Sequence, residues 1–404
     1  MSTTTTTLVL VPLLAVLAPL IARALARWVT FPGIVFELLL GIAIGPAVLN
    51  LVQPSELLEM LSHFGVAMLF FMAGTEINAA ALRGRSGARA WGGWLISFGV
   101  GTALGWMIAP GLGAVIIGIA LSSTALGTLI PVLRDAGEFT TPFGRTVGAV
   151  GAVGEFGPII AISVVLSERS TLQAILVLIA FAVVAVLAVW QAGRTSYPWL
   201  HRFAESTMHT SGQFAVRLVM LILSALVALS LALKVDILLG AFTAGIVWKL
   251  LISDASPETQ EQVESKIEGL AFGFLVPIFF ITTGVDFDLQ ALLAQPWTFA
   301  AVPAVTVLLL LVRGVPSMFA APSGTGRRER LAVGVMGATG LPIIIVATSA
   351  GVSAGYLSPT TAAVLVGGGL LSVLLFPVVA TALRGSGARR PRRDRPSSGV
   401  NRPS

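Results

Sequence analysis

The sequence predicts an all-α polytopic membrane protein with about 13 transmembrane helices, forming six-helix inverted repeats with two crossed discontinuous helices. Three observations predict the membrane-spanning helices: the composition, the spacing of apolar segments and the distribution of basic residues. The repeats and the two discontinuous helices are predicted by motifs within the spans. Hydrophobic residues make up 55% of the 404 positions and charged residues only 11%, whereas an ordinary soluble domain carries about 25% charged residues. This composition excludes a soluble enzyme, a disulfide-linked secreted domain and a disordered chain.

The apolar segments have the lengths that membrane-spanning helices need. A bilayer core requires about 20 apolar residues per helix, and Pro or Gly within such a run is tolerated. Thirteen segments meet this requirement, at roughly 8–26, 31–52, 58–78, 90–110, 113–134, 143–166, 171–193, 213–233, 236–252, 267–284, 297–320, 330–351 and 359–383.

The basic residues predict the orientation of these spans. Thirteen spans place the two termini on opposite sides of the membrane, and the Arg-rich C-terminus favours the cytoplasm. All but three of the 25 Lys and Arg residues then lie on the cytoplasmic side; Arg169 and Lys234 lie outside, and Arg313 lies within a span. Because cytoplasmic loops carry the excess of basic residues, we expect a bacterial inner-membrane protein with its N-terminus outside.

The chain divides into a transmembrane domain and a short tail. Residues 1–384 form the domain, with repeats at about 8–168 and 213–383 joined by a span at 171–193. Residues 385–404 are rich in Arg, Pro and Ser, and we expect a disordered cytoplasmic tail against anionic lipid. The net charge of +6 is therefore explained by the basic residues of the cytoplasmic segments, which set the orientation of the spans. We expect no nucleic-acid partner, and no nucleotide-binding domain because the sequence lacks a phosphate-binding loop motif.

Short motifs recur in spans that are seven apart and that cross the membrane in opposite directions. This recurrence indicates an inverted repeat, with six spans, a linking seventh and six more inverted. The matching motifs are Glu37-Leu-Leu-Leu-Gly41 with Asp236-Ile-Leu-Leu-Gly240, and Phe70-Phe71 before Gly74 with Phe279-Phe280 before Gly284.

Spans 5 and 12 are both interrupted by residues that favour a break in a helix. Paired broken helices in inverted repeats are typical of secondary transporters, whose site lies near the bilayer midplane. The alternative is that Gly and Pro merely kink packed helices. The expected breaks and hinges involve Ser122, Ser123, Thr124, Gly127 and Pro131 in span 5, and Gly337, Thr339, Gly340 and Pro342 in span 12.

Two ionisable residues lie near the middle of their spans, Glu155 and Arg313. Because a buried charge in a membrane is costly, each is a functional candidate. Glu155 can hold a proton or, when ionised, a cation, and the hydroxyls of Ser123, Thr124 and Thr339 suit a hard monovalent cation. Arg313 stays protonated, so we expect it to compensate charge. The alternative is a structural Glu155–Arg313 ion pair.

Other polar residues carry weaker signals. Glu37 and Asp236 are secondary candidates, because interfacial or helix-end charges explain them better than a role in transport does. The chain has no Cys and three scattered His residues, so the sequence offers no set of ligands for a transition metal. We expect no cofactor; the only ions required are the transported ones.

Several motifs together resemble the monovalent cation:proton antiporter-2 family. The resemblance implies the sodium/proton antiporter fold and a homodimer with a dimerisation domain and a mobile core that moves as an elevator. It also implies secondary transport that exchanges Na⁺ or K⁺ for H⁺, rather than enzymatic activity. The motifs are Gly41-Ile-Ala-Ile-Gly45-Pro46, Phe71-Met-Ala-Gly74-Thr-Glu76, Leu121-Ser-Ser-Thr124, Leu239-Gly-Ala-Phe-Thr-Ala-Gly245 and Pro277-Ile-Phe-Phe280.

One departure from that family concerns the site itself. Members commonly carry two adjacent polar or acidic residues where this chain has Gly154-Glu155, and Arg313 stands where many electrogenic members have Lys. With one titratable group and one fixed charge, we expect one-for-one, electroneutral exchange. Two other functions remain open from the sequence: a gated cation channel or K⁺-efflux pathway, and a same-fold transporter of a small organic anion.

Overall fold

The computed structural model describes residues 3–25, 32–77, 84–165, 171–194 and 213–384, and within these ranges it is helical without strands. The helices of the first half are α1 (Thr3–Leu25), α2 (Gly33–Ile44), α3 (Glu56–Thr75), α4 (Arg85–Trp106), α5 (Leu112–Ser122), α6 (Leu126–Asp135), α7 (Pro142–Val165) and α8 (Thr171–Arg194). Those of the second half are α9 (Phe214–Ala232), α10 (Ile237–Ile252), α11 (Pro257–Leu270), α12 (Val276–Val285), α13 (Leu289–Leu293), α14 (Thr298–Leu309), α15 (Arg327–Gly337), α16 (Pro342–Ser353) and α17 (Pro359–Arg384).

Each predicted span overlaps one helix or a run of consecutive helical segments. Among the described residues, nine helical segments are long and apolar enough to cross a membrane. The predicted all-α polytopic membrane protein is therefore confirmed. The total of thirteen crossings and the repeat boundaries stay predictions, and the basic tail at 385–404 lies outside the described residues.

The helices pack as two bundles. The first bundle contains α1, α2, α3, α9, α10, α11 and α12, and the second contains α4 to α7 and α13 to α17. Helix α8 contacts both bundles, through α10 and α7. Between the bundles themselves the contacts are sparser and join α10 with α7, α3 with α6 and α2 with α17. A boundary with few contacts thus separates the two bundles.

Paired glycines bring helices of the first bundle into close contact. A Cβ on Gly41 of α2 would lie 2.2 Å from the carbonyl oxygen of Ile281 in α12, and one on Gly74 of α3 would lie 2.2 Å from that of Phe242 in α10. Small residues permit such approach between membrane helices. Helices α2 and α10 belong to one pair of matched spans, and α3 and α12 to the other. The contact of α2 with α12 therefore corresponds to the contact of α10 with α3 in the matched spans.

The second bundle holds the two broken helices. Span 5 is helical as α5 and α6 and is broken at 123–125, whereas span 12 is helical as α15 and α16 and is broken at 338–341. Gly340 lies inside the second break, and Gly337 and Pro342 lie on either side of it. Gly127 and Pro131, expected as hinges, lie within α6, so the first break is shorter than the sequence indicated.

Candidate ion-binding site

The two breaks meet in the interior of the second bundle. The Ala125 backbone N–H donates a hydrogen bond to the Thr339 carbonyl oxygen at 2.7 Å, and the Thr124 hydroxyl donates to the Gly337 carbonyl oxygen at 2.6 Å. Both bonds satisfy backbone groups that an interrupted helix leaves without partners. The breaks thus stabilise each other and place their helix ends beside α7.

Glu155 of α7 lies at the N-terminus of α6 and is only 2% exposed. One carboxylate oxygen, Oε1, accepts hydrogen bonds from the backbone N–H groups of Leu126 at 3.0 Å and Gly127 at 3.5 Å. The positive end of the α6 dipole favours the ionised carboxylate there. The other oxygen, Oε2, is buried and accepts no hydrogen bond from the described residues. One carboxylate oxygen of Glu155 is thus hydrogen-bonded to α6, and the other has no partner among the described residues.

Arg313 is fully buried in a π-helical turn, Leu310–Gly314, that follows α14. Its Nε donates to the Thr124 hydroxyl at 2.9 Å and its Nη2 to the Val150 carbonyl oxygen at 2.8 Å. The described ion pairs do not include Arg313 with Glu155. The ion pair that the sequence left as an alternative is therefore not formed in this structure: Glu155 accepts from the N-terminus of α6, and Arg313 donates to Thr124 and Val150.

Gly154 makes room for this arrangement. A Cβ at position 154 would lie 2.4 Å from the Thr124 hydroxyl oxygen and 2.6 Å from Nη2 of Arg313, distances that real Cβ contacts do not reach. The Gly154 carbonyl oxygen also accepts a hydrogen bond from the Thr124 backbone N–H at 2.9 Å. The guanidinium and the hydroxyl thus occupy the space into which a side chain at position 154 would extend.

The remaining predicted hydroxyls lie at the breaks but are held within their own helices. The Ser123 hydroxyl donates to the Ala120 carbonyl oxygen at 2.8 Å and the Thr339 hydroxyl to that of Val335 at 3.4 Å. The second break is instead fixed by Ser372 of α17, whose hydroxyl accepts from the Gly340 N–H at 3.1 Å. The sequence reasoning missed Ser372; the signal was a hydroxyl in the middle of an apolar span.

The two secondary candidates lie outside the breaks. Glu37 is buried in α2 of the first bundle, and its Oε2 has no partner among the described residues. The carboxylate of Asp236 accepts from the Leu238 N–H at 2.9 Å at the start of α10, as a helix-capping residue does.

Asp236 also lines a cavity of about 560 Å³ between the bundles, together with Glu59 and Asp286. Burial and the nearby Glu59 raise the pKa of Asp286 to about 6.

The helical fold, the paired breaks and the buried carboxylate define a membrane-embedded secondary transporter rather than an enzyme. A family model described as "Sodium/hydrogen exchanger, transmembrane" matches residues 13–383. The chain therefore belongs to the sodium/hydrogen exchanger family. The resemblance to monovalent cation:proton antiporters is confirmed.

Individual relatives agree with this assignment. The chain is 29% identical over 292 residues to the Na(+)/H(+)-K(+) antiporter GerN of Bacillus cereus. The aligned region covers 70% of this chain and 72% of GerN. It is 28% identical over 361 residues to the high-affinity Na(+)/H(+) antiporter NhaS3 of Synechocystis, covering 83% and 74% of the two chains. Among solved structures, the sodium proton antiporter MjNhaP1 of Methanocaldococcus jannaschii superimposes with a TM-score of 0.67 at 18% identity, over 94% of this chain and 96% of MjNhaP1. That similarity supports the fold.

Proposed function

We propose that this protein is a secondary antiporter that exchanges a monovalent cation, Na⁺ or K⁺, for H⁺ at Glu155. The observation that carries the proposal is the asymmetry of this carboxylate. Its Oε1 is anchored to the N-terminus of α6, whereas its buried Oε2 has no partner among the described residues. A proton or a cation can neutralise that oxygen, and the two compete for it. Competition for one site is sufficient for exchange.

Electroneutral exchange follows because Glu155 is the one group of the site that changes its charge, whereas the neighbouring Arg313 stays positive. Arg313 donates to Thr124 and Val150, and a guanidinium does not release its proton in a protein. Gly154 contributes no second acid. Each transport cycle therefore carries one cation in one direction and one proton in the other.

The two bundles supply the means of alternating access. The second bundle carries the site, and its sparser contacts with the first bundle suit an elevator-type movement. The protein acts as a homodimer in a bacterial inner membrane, with its N-terminus outside, its C-terminus cytoplasmic and its basic tail against anionic lipid. These statements rest on the charge distribution and on the family resemblance.

Transport in proteoliposomes tests the proposal. Dequenching of a pH-sensitive dye is measured after addition of Li⁺, Na⁺, K⁺ or Rb⁺. We expect saturable exchange in the wild type and near-complete loss in Glu155→Gln. The matched control is Glu37→Gln, which also neutralises a buried carboxylate with an unpartnered oxygen but lies in the first bundle. Exchange that survives Glu155→Gln, or unitary currents in place of saturable flux, contradicts the proposal.

The charge balance has a separate test. Na⁺-driven exchange is measured at an imposed membrane potential and again with the potential clamped to zero. We expect equal rates, because no net charge crosses the membrane. A potential that drives or biases the exchange contradicts the electroneutral mechanism but leaves antiport itself intact.

A further inference from the structure

Arg134, in the last turn of α6, bridges the two bundles. Its guanidinium donates to Glu76, directly after α3, at 2.6 Å and to Glu268 of α11 at 3.2 Å. It also lies over the Phe139 ring, 5.4 Å from the centroid. Since α6 belongs to the second bundle and α3 and α11 to the first, we call Arg134, Glu76 and Glu268 the interbundle ion triad.

A second triad of the same chemistry lies within one bundle. Arg384 of α17 donates to Glu138 at 2.7 Å and to Glu329 of α15 at 3.3 Å, and it lies 4.0 Å from the centroid of the Phe143 ring. All of these elements belong to the second bundle or to its connecting loops. The Arg384 triad therefore holds that bundle together and does not link it to the first.

Helix α6 connects the interbundle ion triad to Glu155. This helix has ten residues and is therefore about 15 Å long. Its first N–H groups, those of Leu126 and Gly127, bind the Glu155 carboxylate, and Arg134 is in its last turn. A single ten-residue helix thus binds Glu155 at its first turn and carries the interbundle contact in its last turn.

The boundary between the bundles is open at one end and closed at its middle and at the other end. At the start of α3 it is open, because Glu59 lines the cavity of about 560 Å³. Near Glu155 it is closed by stacked rings of Phe156 and Phe242, with centroids 5.3 Å apart. At the end of α3 it is closed by the ion triad, and Ile77 packs against a buried cluster formed by Leu126 and Ile130 of α6 and Ala152 of α7.

We propose that Arg134 is a positioning residue, and that the interbundle ion triad closes the boundary at the end that the charge distribution assigns to the cytoplasm. While the triad is formed, α6 stays against α3 and the boundary beneath Arg134 is closed to water. Opening toward that side requires the triad to break. This proposal deepens the antiporter proposal and rests on it.

Cysteine labelling tests the closure without requiring transport. The chain contains no Cys, so Ile130→Cys, a buried position on α6 with 5% exposure, supplies a single thiol. The rate of its modification by N-ethylmaleimide is measured in the otherwise wild-type protein and with Arg134→Gln added. We expect Arg134→Gln to raise the rate about two- to fivefold, the range that a half-exposed ion pair supports. Ile77→Cys, on the first-bundle side of the same contact, is the second reporter.

Two further variants separate closure from general loosening. Arg384→Gln removes the other triad and is expected to leave the labelling rate unchanged. The conservative variant Arg134→Lys keeps a cation facing Glu76 and Glu268 and is expected to keep labelling slow. Equal labelling with and without Arg134→Gln, or an equal increase from Arg384→Gln, overturns the proposal. The same measurements are repeated with Glu155→Gln present, so that failure of the gate and failure of antiport give different results.

Discussion

The two helix breaks meet in the interior of the second bundle but differ in chemistry. The break at 123–125 brings together a carboxylate, a guanidinium and a hydroxyl, since Thr124 links Arg313 to the Gly337 carbonyl oxygen. The break at 338–341 is held by Ser372, and its following helix begins with Pro342, which has no N–H to offer a ligand. The comparison shows that both spans are broken, whereas the ionisable groups are concentrated at the first break.

Thr124→Val is expected to have the largest effect among the break residues. Valine keeps the size of the side chain but leaves the Arg313 Nε and the Gly337 carbonyl oxygen without partners. Losing a buried hydrogen bond to a charged group costs about 1.5–3 kcal/mol, so we expect transport to fall at least about tenfold and thermal stability in detergent to drop. Thr124→Ser keeps the hydroxyl and is expected to retain most of the activity. Equal loss in both variants would show that the hydroxyl is not what matters.

Gly154→Ala is expected to have the next largest effect. The added Cβ would overlap Thr124 and Arg313, and such overpacking costs about 1–3 kcal/mol. The control is Gly148→Ala on the same helix, because a Cβ there meets none of the described atoms within 4 Å. Transport rate and thermal stability of the two variants are compared. If Gly154→Ala is as active as Gly148→Ala, the space at position 154 is not reserved for Arg313.

Ser372→Ala tests the second break and is expected to have a smaller effect. It removes the hydroxyl that accepts from Gly340 and donates to the Gly369 carbonyl oxygen at 2.7 Å. An uncharged hydrogen bond contributes about 0.5–1.5 kcal/mol, so we expect a modest loss of thermal stability and a transport rate within about threefold of wild type. A loss as large as that of Thr124→Val would mean that the two breaks contribute equally.

Asp286→Asn is expected to have the smallest effect. Asp286 borders the cavity between the bundles, where its charge attracts cations only weakly across solvent. Its pKa of about 6 means that this charge is present above that pH and is lost below it. We expect the variant to raise the apparent KM for Na⁺ about twofold at alkaline pH and low salt, and less at acid pH. An effect that is independent of salt excludes this electrostatic explanation.

Much of the fold followed from the sequence because membrane helices are specified by long apolar runs and by the distribution of Arg and Lys. Glu155 and Arg313 also stood out, since ionisable residues are rare within spans. The hydrogen-bond partners of these two side chains could not be predicted. The sequence left a Glu155–Arg313 ion pair open as an alternative, because it does not show that Leu126 and Gly127 bind Glu155 and that Thr124 and Val150 bind Arg313. Ser372 and Arg134 were missed as contacts, because they meet distant parts of the chain.

The most direct test of the central claim is the apparent KM for Na⁺, measured across pH in wild-type proteoliposomes with the membrane potential clamped. A single carboxylate shared by both ions predicts that protons compete with Na⁺. The apparent KM then rises with falling pH, approaching about tenfold per pH unit where the proton fills the free site, while the maximal rate at saturating Na⁺ stays constant. An apparent KM that is independent of pH, with only the maximal rate changing, would contradict one shared site at Glu155.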